Sequence, residues 1–410
     1  MRNWTRSLLF LMATQLFSQT ADVQFEEKRD EADMDALRRW IRDKRMVTLK
    51  EIGGDLSLSG EVRTEFQNTS EIRDGIRQRG SNSTTNRPAQ AWDVEVNLML
   101  DYRTDRTWAA IKLEFDNDMG IRRGTVNRIR LEKAYLGGRL VPGDTFTLDG
   151  EIGRRNLINV FDSRIEFGAL FDGVLFRLNK AFDSVGDFYT NTGAFIIDDK
   201  QNHYGYVTEM GLLRIANVGL NAKYSIIDWR KHYPNPVKND RYRFVVGQAL
   251  LSYQAAPAWT GKRLILLYGA YLRNYIAEPV PQTANLVQNN AYYIGCSIGQ
   301  VRKAGDFAVD GNWQYVQAQA IPDYDASGIG RGNAQGAGLY TVNIDGSGGM
   351  QSSANAVGSG NYKGFELEGL YAFTSNLTIL QNYKQSWTLN HQIGPTLTYR
   401  QYEVEFIYAF

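Results

Sequence analysis

The 410-residue chain has a single cysteine, Cys296. One cysteine closes no intrachain disulfide, so the fold has no covalent staple. Cys296 lies in the apolar stretch Tyr292 to Ile298, where a small hydrophobe is its expected role. Histidine is almost as scarce, with only His203, His232 and His391. No two of them stand at metal-ligand spacing, so no metal site is expected. His203 near Asp198 and Asp199 is the one acid/base pairing on offer, and Asp162-Ser163 has no histidine beside it. Gly150-Glu151-Ile152-Gly153 lacks the lysine and the following helix of a phosphate loop. The chain is read as neither an enzyme nor a cofactor carrier.

An excess of one charge is missing too. The 46 basic residues face 45 acidic ones, for a formal charge of +1. That balance argues against nucleic acid as a partner. Nor does any stretch reach the eighteen or so consecutive apolar residues of a membrane helix. The nearest approach is at the N-terminus. Arg2 and Arg6 precede Leu8 to Ala13 and Leu16-Phe17, and Ser18-Gln19-Thr20-Ala21 follows. A basic flank, a short apolar run and a small-residue zone predict a signal peptide over 1–21, cleaved after Ser18 or Ala21. Its loss removes two arginines and no acid, leaving 44 bases against 45 acids.

Residues 22–54 read as a periplasmic amphipathic helical segment. Met34, Leu37, Trp40 and Ile41 recur at helical spacing. Glu26, Glu27, Asp30 and Glu31 come early, and Arg38, Arg39, Arg42, Lys44 and Arg45 late, as the helix dipole prefers. Gly53-Gly54 ends it.

From Asp55 the period becomes two. Leu56, Leu58, Gly60 and Val62 alternate with Ser57, Ser59, Glu61 and Arg63. Trp92, Val94, Val96, Leu98, Leu100 and Tyr102 alternate with Asp93, Glu95, Asn97, Met99, Asp101 and Arg103. A strand sends successive side chains to opposite faces, so each segment has one apolar and one charged face. The charged faces need water, not a packed core. Ten residues from Trp92 to Tyr102, tilted, rise about 24 Å, close to the roughly 25 Å apolar band of a membrane barrel.

Sixteen such segments begin near Asp55, Ala91, Thr107, Val126, Thr145, Asp172, Phe188, Tyr204, Asn217, Tyr242, Arg263, Ala291, Asp306, Asn361, Asn376 and Tyr399. The sixth to eighth and the eleventh alternate poorly. Short connections (Thr104-Asp105-Arg106, Leu140 to Asp144, Thr374-Ser375) alternate with long ones (Asn68 to Gln90, Arg155 to Phe171, Asp228 to Arg241, Asn274 to Asn290, Ala318 to Gly360). The pattern predicts an all-β fold: a transmembrane antiparallel up-and-down β-barrel of about sixteen strands over 55–410. Both termini fall on the short-turn side, the periplasm.

The last strand carries Phe410, Tyr408, Phe406, Val404 and Tyr402 on one face and Glu405, Glu403 and Gln401 on the other. An amphipathic strand ending on phenylalanine resembles the closing strand of Gram-negative outer-membrane barrels. The resemblance implies that the assembly machinery reads Phe410, Tyr408 and Phe406. The stretch Gly150 to Leu178 resembles the porins, in which a strand ending Gly-Arg leads into an external loop that folds into the lumen. That resemblance implies a constriction with Asp162 and Glu166 on the loop facing Arg63, Lys112, Arg128, Arg130 and Arg154 on the wall. Glu166-Phe167-Gly168 echoes part of a loop motif of trimeric porins. The run Lys44-Arg45 with Leu49-Lys50-Glu51-Ile52-Gly53-Gly54 looks like the chlamydia-type porin-like proteins. Taken together, the resemblances imply an outer-membrane porin, a homotrimer in contact with lipid, that passes small hydrophilic solutes passively. Trimerisation would use an apolar wall such as Val245-Gly247-Ala249-Leu251. The alternatives are a sugar- or anion-specific channel, with Tyr293, Tyr206 and Trp108 as a stacking track if they point inward, and a barrel-anchored adhesin or enzyme.

Overall fold

The structure, a computed structural model, describes residues 47–51, 54–83, 88–119, 128–143, 145–182, 184–198, 203–231, 244–279, 283–322, 325–332, 360–393 and 395–410. The signal peptide and most of the helical segment expected before residue 54 lie outside the described residues. The strands of the first half are β1 (Val47–Glu51), β2 (Gly54–Arg73), β3 (Ile76–Arg77), β4 (Gln90–Arg103), β5 (Thr107–Asp118), β6 (Arg128–Val141), β7 (Phe146–Asn156), β8 (Leu170–Phe182) and β9 (Gly186–Asp198). The second half adds β10 (His203–Ile215), β11 (Leu220–Lys231), β12 (Phe244–Ala255), β13 (Ile265–Asn274), β14 (Asn290–Gly299), β15 (Phe307–Val316), β16 (Tyr362–Ala372), β17 (Leu377–Thr388) and β18 (Leu397–Ala409).

Each long strand pairs antiparallel with its successor, and β18 returns to β2, from Ala409 opposite Glu61 to Leu397 opposite Arg73. The eighteen-stranded sheet is thus a closed barrel of sixteen strands plus two short additions, β1 and β3. Closure leaves no long edge unpaired, which is how a sheet satisfies its backbone without water outside. The sixteen starts read from alternation fall within three residues of the barrel strands. The surprise is β1. Val47–Glu51, within the segment read as helical, instead pairs with Gly54–Leu58 of β2. The reason is local: Val47 and Thr48 are β-branched and favour an extended chain.

The two faces follow the alternation. Leu58, Val62, Leu100, Ile111, Ile152, Phe176, Leu251, Ile294, Val309, Leu367 and Phe406 stand exposed on the outside. Aromatic side chains join them, among them the stacked Tyr292 and Tyr315, whose ring centroids lie 4.7 Å apart. Their strand neighbours Glu61, Asn97, Gln248, Asp310, Asn382 and Glu405 are buried inside.

Two glycines opposite each other on β7 and β8 let β7 lie close against β6 and β8 close against β9. Gly153 has φ +135°, and a Cβ there would lie 2.2 Å from the Ala134 carbonyl. Its cross-strand partner Gly173 would place a Cβ 2.1 Å from the Ala194 carbonyl. Both substitutions drive carbon into backbone, and at Gly153 the conformation itself costs about 1–3 kcal/mol more for other residues. Gly153→Ala is therefore expected to lower the folded fraction in detergent refolding, read as the heat-modifiable gel band. A folded yield equal to the native protein's would refute this.

Candidate functional site

The connection from β7 to β8 does not leave the barrel. Leu157–Asn159 form a single 3-10 turn, and the chain then runs along the inner wall to Ala169. Leu157, Phe161, Ile165 and Phe167 are wholly buried. They pack with inward residues of the wall, among them Phe171, Leu175, Phe195, Val207, Ile227, Trp229 and Val246. Each such burial contributes about 1.5–3 kcal/mol. Part of the lumen is thus a hydrophobic core. A second segment, following β15, joins it through Ala318, Ala320, Ile321, Ala326 and Ile329.

Polar anchors fix the inserted segment strand by strand. The Asn191 side chain (β9) donates to the Val160 carbonyl at 3.3 Å. Glu209 (β10) accepts from the Asp162 amide at 3.1 Å. Lys223 (β11) pairs with the Asp162 carboxylate at 2.5 Å, and Gln248 (β12) donates to the Asp162 carbonyl at 2.6 Å. Arg164 reaches Asp310 (β15) at 3.1 Å and lies over the Tyr268 ring, 5.1 Å from its centroid.

The opposite stretch of wall, β16 to β18 and on through β2, β4 and β5, faces the remaining space with charges. Glu366, Glu403, Glu405, Glu61, Glu65, Glu95, Glu114 and Asp116 share the inward parity with Lys384, Arg63 and Lys112. Arg63 sits among acids, 2.7 Å from Glu61, 3.4 Å from Glu405 and 4.0 Å from Glu95. Glu65, Glu403 and Glu405 bring their carboxylates within 4.8 Å of one another. The β5–β6 bulge turns Glu132 toward Lys112. Arg130 pairs with Glu114 at 3.3 Å yet remains half exposed, which marks this side as wet. Basic side chains gather next to it on β6 to β8, with Arg155 and Arg177 sharing Glu151.

The residues named from sequence divide accordingly. Arg63, Lys112 and Arg130 face inward with acidic partners. Of Arg128 only the backbone, opposite Asp116, is described. Arg154 does not face the lumen. It shares the outward parity of Ile152 and forms a double hydrogen bond, 2.7 Å each, with Asp172. The inward guanidinium is that of Arg155, stacked over the Tyr135 ring. Asp162 and Glu166 lie on the inserted segment but are buried, Asp162 against the wall at Lys223, and are not displayed across the gap. The wall acids Glu61, Glu65, Glu95, Glu403 and Glu405, on the polar faces that alternation marks, join the site beyond the residues expected from the resemblance. Nothing in sequence spacing marks Lys223, Glu209 or Asp310, which lie on distant strands. Of the aromatic track, Tyr293 is buried in the core and Tyr206 is exposed outside, near Arg230. Trp108 alone faces the gap, its Nε1 donating to Glu151 at 3.1 Å. His391 is the one histidine whose side chain is described, and its ring meets Thr396.

No protein-family model and no curated protein sequence matches the chain. Solved structures do. Pseudomonas putida OprB, in a high-pH structure, is 12% identical, with 94% of this chain and 99% of that one covered at a TM-score of 0.51. Salmonella typhi OmpF, in a complex with daunomycin, gives 12%, 89% and 100% at 0.49. The Acinetobacter baumannii outer-membrane channel DcaP gives 11%, 88% and 99% at 0.47. The last two scores fall below 0.5 and bear no weight. At 12% identity the first speaks for the fold alone. The chain folds as a sixteen-stranded antiparallel barrel that shares its architecture with the OprB structure.

Proposed function

We propose that the protein is an outer-membrane channel that passes small hydrophilic solutes by diffusion, with a preference for cations. One observation carries the reading: the inserted segments pack against one side of the lumen, and the other side keeps solvent-exposed charges at inward positions. An apolar exterior around such an interior is stable where hydrocarbon lies outside and water within. In the gap, carboxylates outnumber bases on β16–β18, β2, β4 and β5. Field lines in a narrow aqueous slot bounded by low-dielectric walls raise the local concentration of the opposite charge.

Assembly through recognition of the last strand belongs to the same proposal. Phe410, Tyr408 and Phe406 are exposed on the outer face, and Gly60 exchanges two 2.9 Å backbone hydrogen bonds with Phe410. Trimerisation is also part of it, with Val245, Gly247, Ala249 and Leu251 on the outward parity of β12. A single-solute sugar channel loses support from the scattering of Tyr293, Tyr206 and Trp108.

Purified protein in a planar bilayer supplies the test. A linear current–voltage relation and a reversal potential of cationic sign in a KCl gradient are expected. Absence of conductance, or saturable block by one sugar, would sink the diffusion reading.

A further inference from the structure

The two inserted segments meet at a seam. The Gly168 amide donates to the Asp325 carbonyl at 2.9 Å, and the Ala169 amide to Asp325 Oδ1 at 3.2 Å. In return the Ser327 amide donates to the Ile165 carbonyl at 3.1 Å, and the Ser327 hydroxyl to the Glu166 carbonyl at 3.0 Å. The backbones approach so closely that a Cβ on Gly168 would lie 2.3 Å from the Ala326 carbonyl. Beside it Phe167, fully buried, holds φ at +71°. That left-handed conformation costs a bulky residue about 1–3 kcal/mol and persists only while its surroundings enforce it.

Two carboxyl groups lie buried at this seam. Both side-chain oxygens of Glu166, and Oδ2 of Asp325, have no hydrogen-bond partner. Nearby charges are committed elsewhere: Arg164 to Asp310, Asp162 to Lys223. The buried Tyr362 hydroxyl donates to Gln314. Among the described residues no cation pairs with either carboxylate. Two buried anions at one dry seam, near enough for the Asp325 charge to act on Glu166, are far too costly to persist. One proton resolves the arrangement, because a neutral Glu166 carries no charge and has an O–H to donate to an orphaned carboxylate oxygen. Asp325 is the natural acceptor, since two backbone amides, of Ala169 and Phe167, already point at it.

We propose that Glu166 carries a proton donated to Asp325, and that this shared proton latches the second inserted segment to the first. Its loss to solvent parts the seam and lets the strained turn at Phe167 relax, which widens the gap. Burial first, and the neighbouring Asp325 charge second, push the Glu166 carboxyl well above its ordinary range. Burial raises Asp325 too, against the pull of its two amide donors. For a raised acid, the contribution to stability is complete below the unfolded value and vanishes as pH climbs through the folded one. The latch is therefore closed at acid and neutral pH and opens on the alkaline side.

The electrical readout of this latch rests on the channel proposal, whereas its infrared readout does not. The native protein is expected to show a protonated-carboxyl stretch at about pH 7, well past ordinary carboxylate titration, that disappears on alkalinisation. The Glu166→Gln spectrum lacks that band. Conductance should rise with the same alkaline transition in the native protein. The conductance transition should be lost in Glu166→Gln, whose amide donates without a titrating proton, and in Asp325→Asn, whose amide can donate to an ionised Glu166; in the latter the Glu166 band persists but disappears at a lower pH, because the neighbouring charge is gone. If Glu166→Gln does not fold, Asp325→Asn alone decides. A band absent from the native protein, or unchanged by substitution, overturns the shared proton. A conductance profile unchanged by both substitutions overturns the latch. If the band behaves as expected and no current flows at any pH, the channel reading fails and the proton pair stands.

Discussion

Lys223→Ala is expected to unseat the inserted segment and give a larger, noisier open-channel current. Lys223 and Asp162 are both buried, their side chains only 8% and 3% exposed. The lysine charge also reaches Glu209, itself buried and held by the Asp162 amide and the Tyr189 hydroxyl. Removing the lysine takes its charge away from two buried carboxylates, Asp162 and Glu209. Breaking a buried pair from one side costs about 3–5 kcal/mol. The barrel can lose that much locally, because each long strand keeps its ladder to both neighbours. The segment can lose it only by leaving the wall. The double variant Lys223→Met with Asp162→Asn should recover part of the seating, since only Glu209 is then stranded. Single-channel recordings and limited proteolysis at neutral pH measure the effect. Native current noise and native resistance to cleavage in Lys223→Ala would show that apolar packing alone holds the segment.

The alternation that made the barrel legible also shows where legibility ended. β4 and β18 are apolar outside and polar inside, and each could be read at once. β8, β9, β10 and β13 alternated poorly because their inner faces do not meet water. Phe171, Leu175, Phe195, Val207, Leu266 and Leu272 are inward residues covered by the inserted segments. A strand buried on both faces reads as a run of hydrophobes, and its period disappears. The same strands therefore carried a signal, unread, that part of the lumen is filled. Leu157, Phe161, Ile165 and Phe167 sit in a long connection yet are too apolar for a solvated one, which points the same way.

The site was less legible for a different reason. The loop was recognised by resemblance, and resemblance supplied its acids with a role. Burial decides otherwise: an acid on an inserted loop can face the gap or the wall, and spacing does not distinguish the two. Asp162 faces the wall because Lys223, 61 residues away in sequence, waits there. Arg154 is a different case. Counting by two from the outward Ile152 puts it outside, and the inward Glu151 puts Arg155 inside.

That reassignment leads to a selectivity result opposite to the one the loop acids would give. Glu65, Glu403 and Glu405 all changed to glutamine should sharply reduce the cation preference, whereas Asp162→Asn and Glu166→Gln should leave it nearly as it was. A monovalent ion passing about 6 Å from a carboxylate in water-like surroundings gains about 0.7 kcal/mol. Three such groups, reduced by screening over a Debye length of about 10 Å at 0.1 M salt, are together worth at most about 1.1 kcal/mol, up to about a sevenfold change in permeability ratio. Folding should not suffer. The three carboxylates crowd within 4.8 Å, so neutralising them removes mutual repulsion, and Arg63 keeps Glu61 at 2.7 Å. The buried loop acids lack this reach for two reasons: Asp162 is already neutralised by Lys223, and Glu166 is uncharged at neutral pH under the latch proposal. Reversal potentials in a tenfold KCl gradient separate the two groups of substitutions. If the loop substitutions shift the potential and the wall substitutions do not, the wall is a bystander and the constriction lies where the resemblance first placed it.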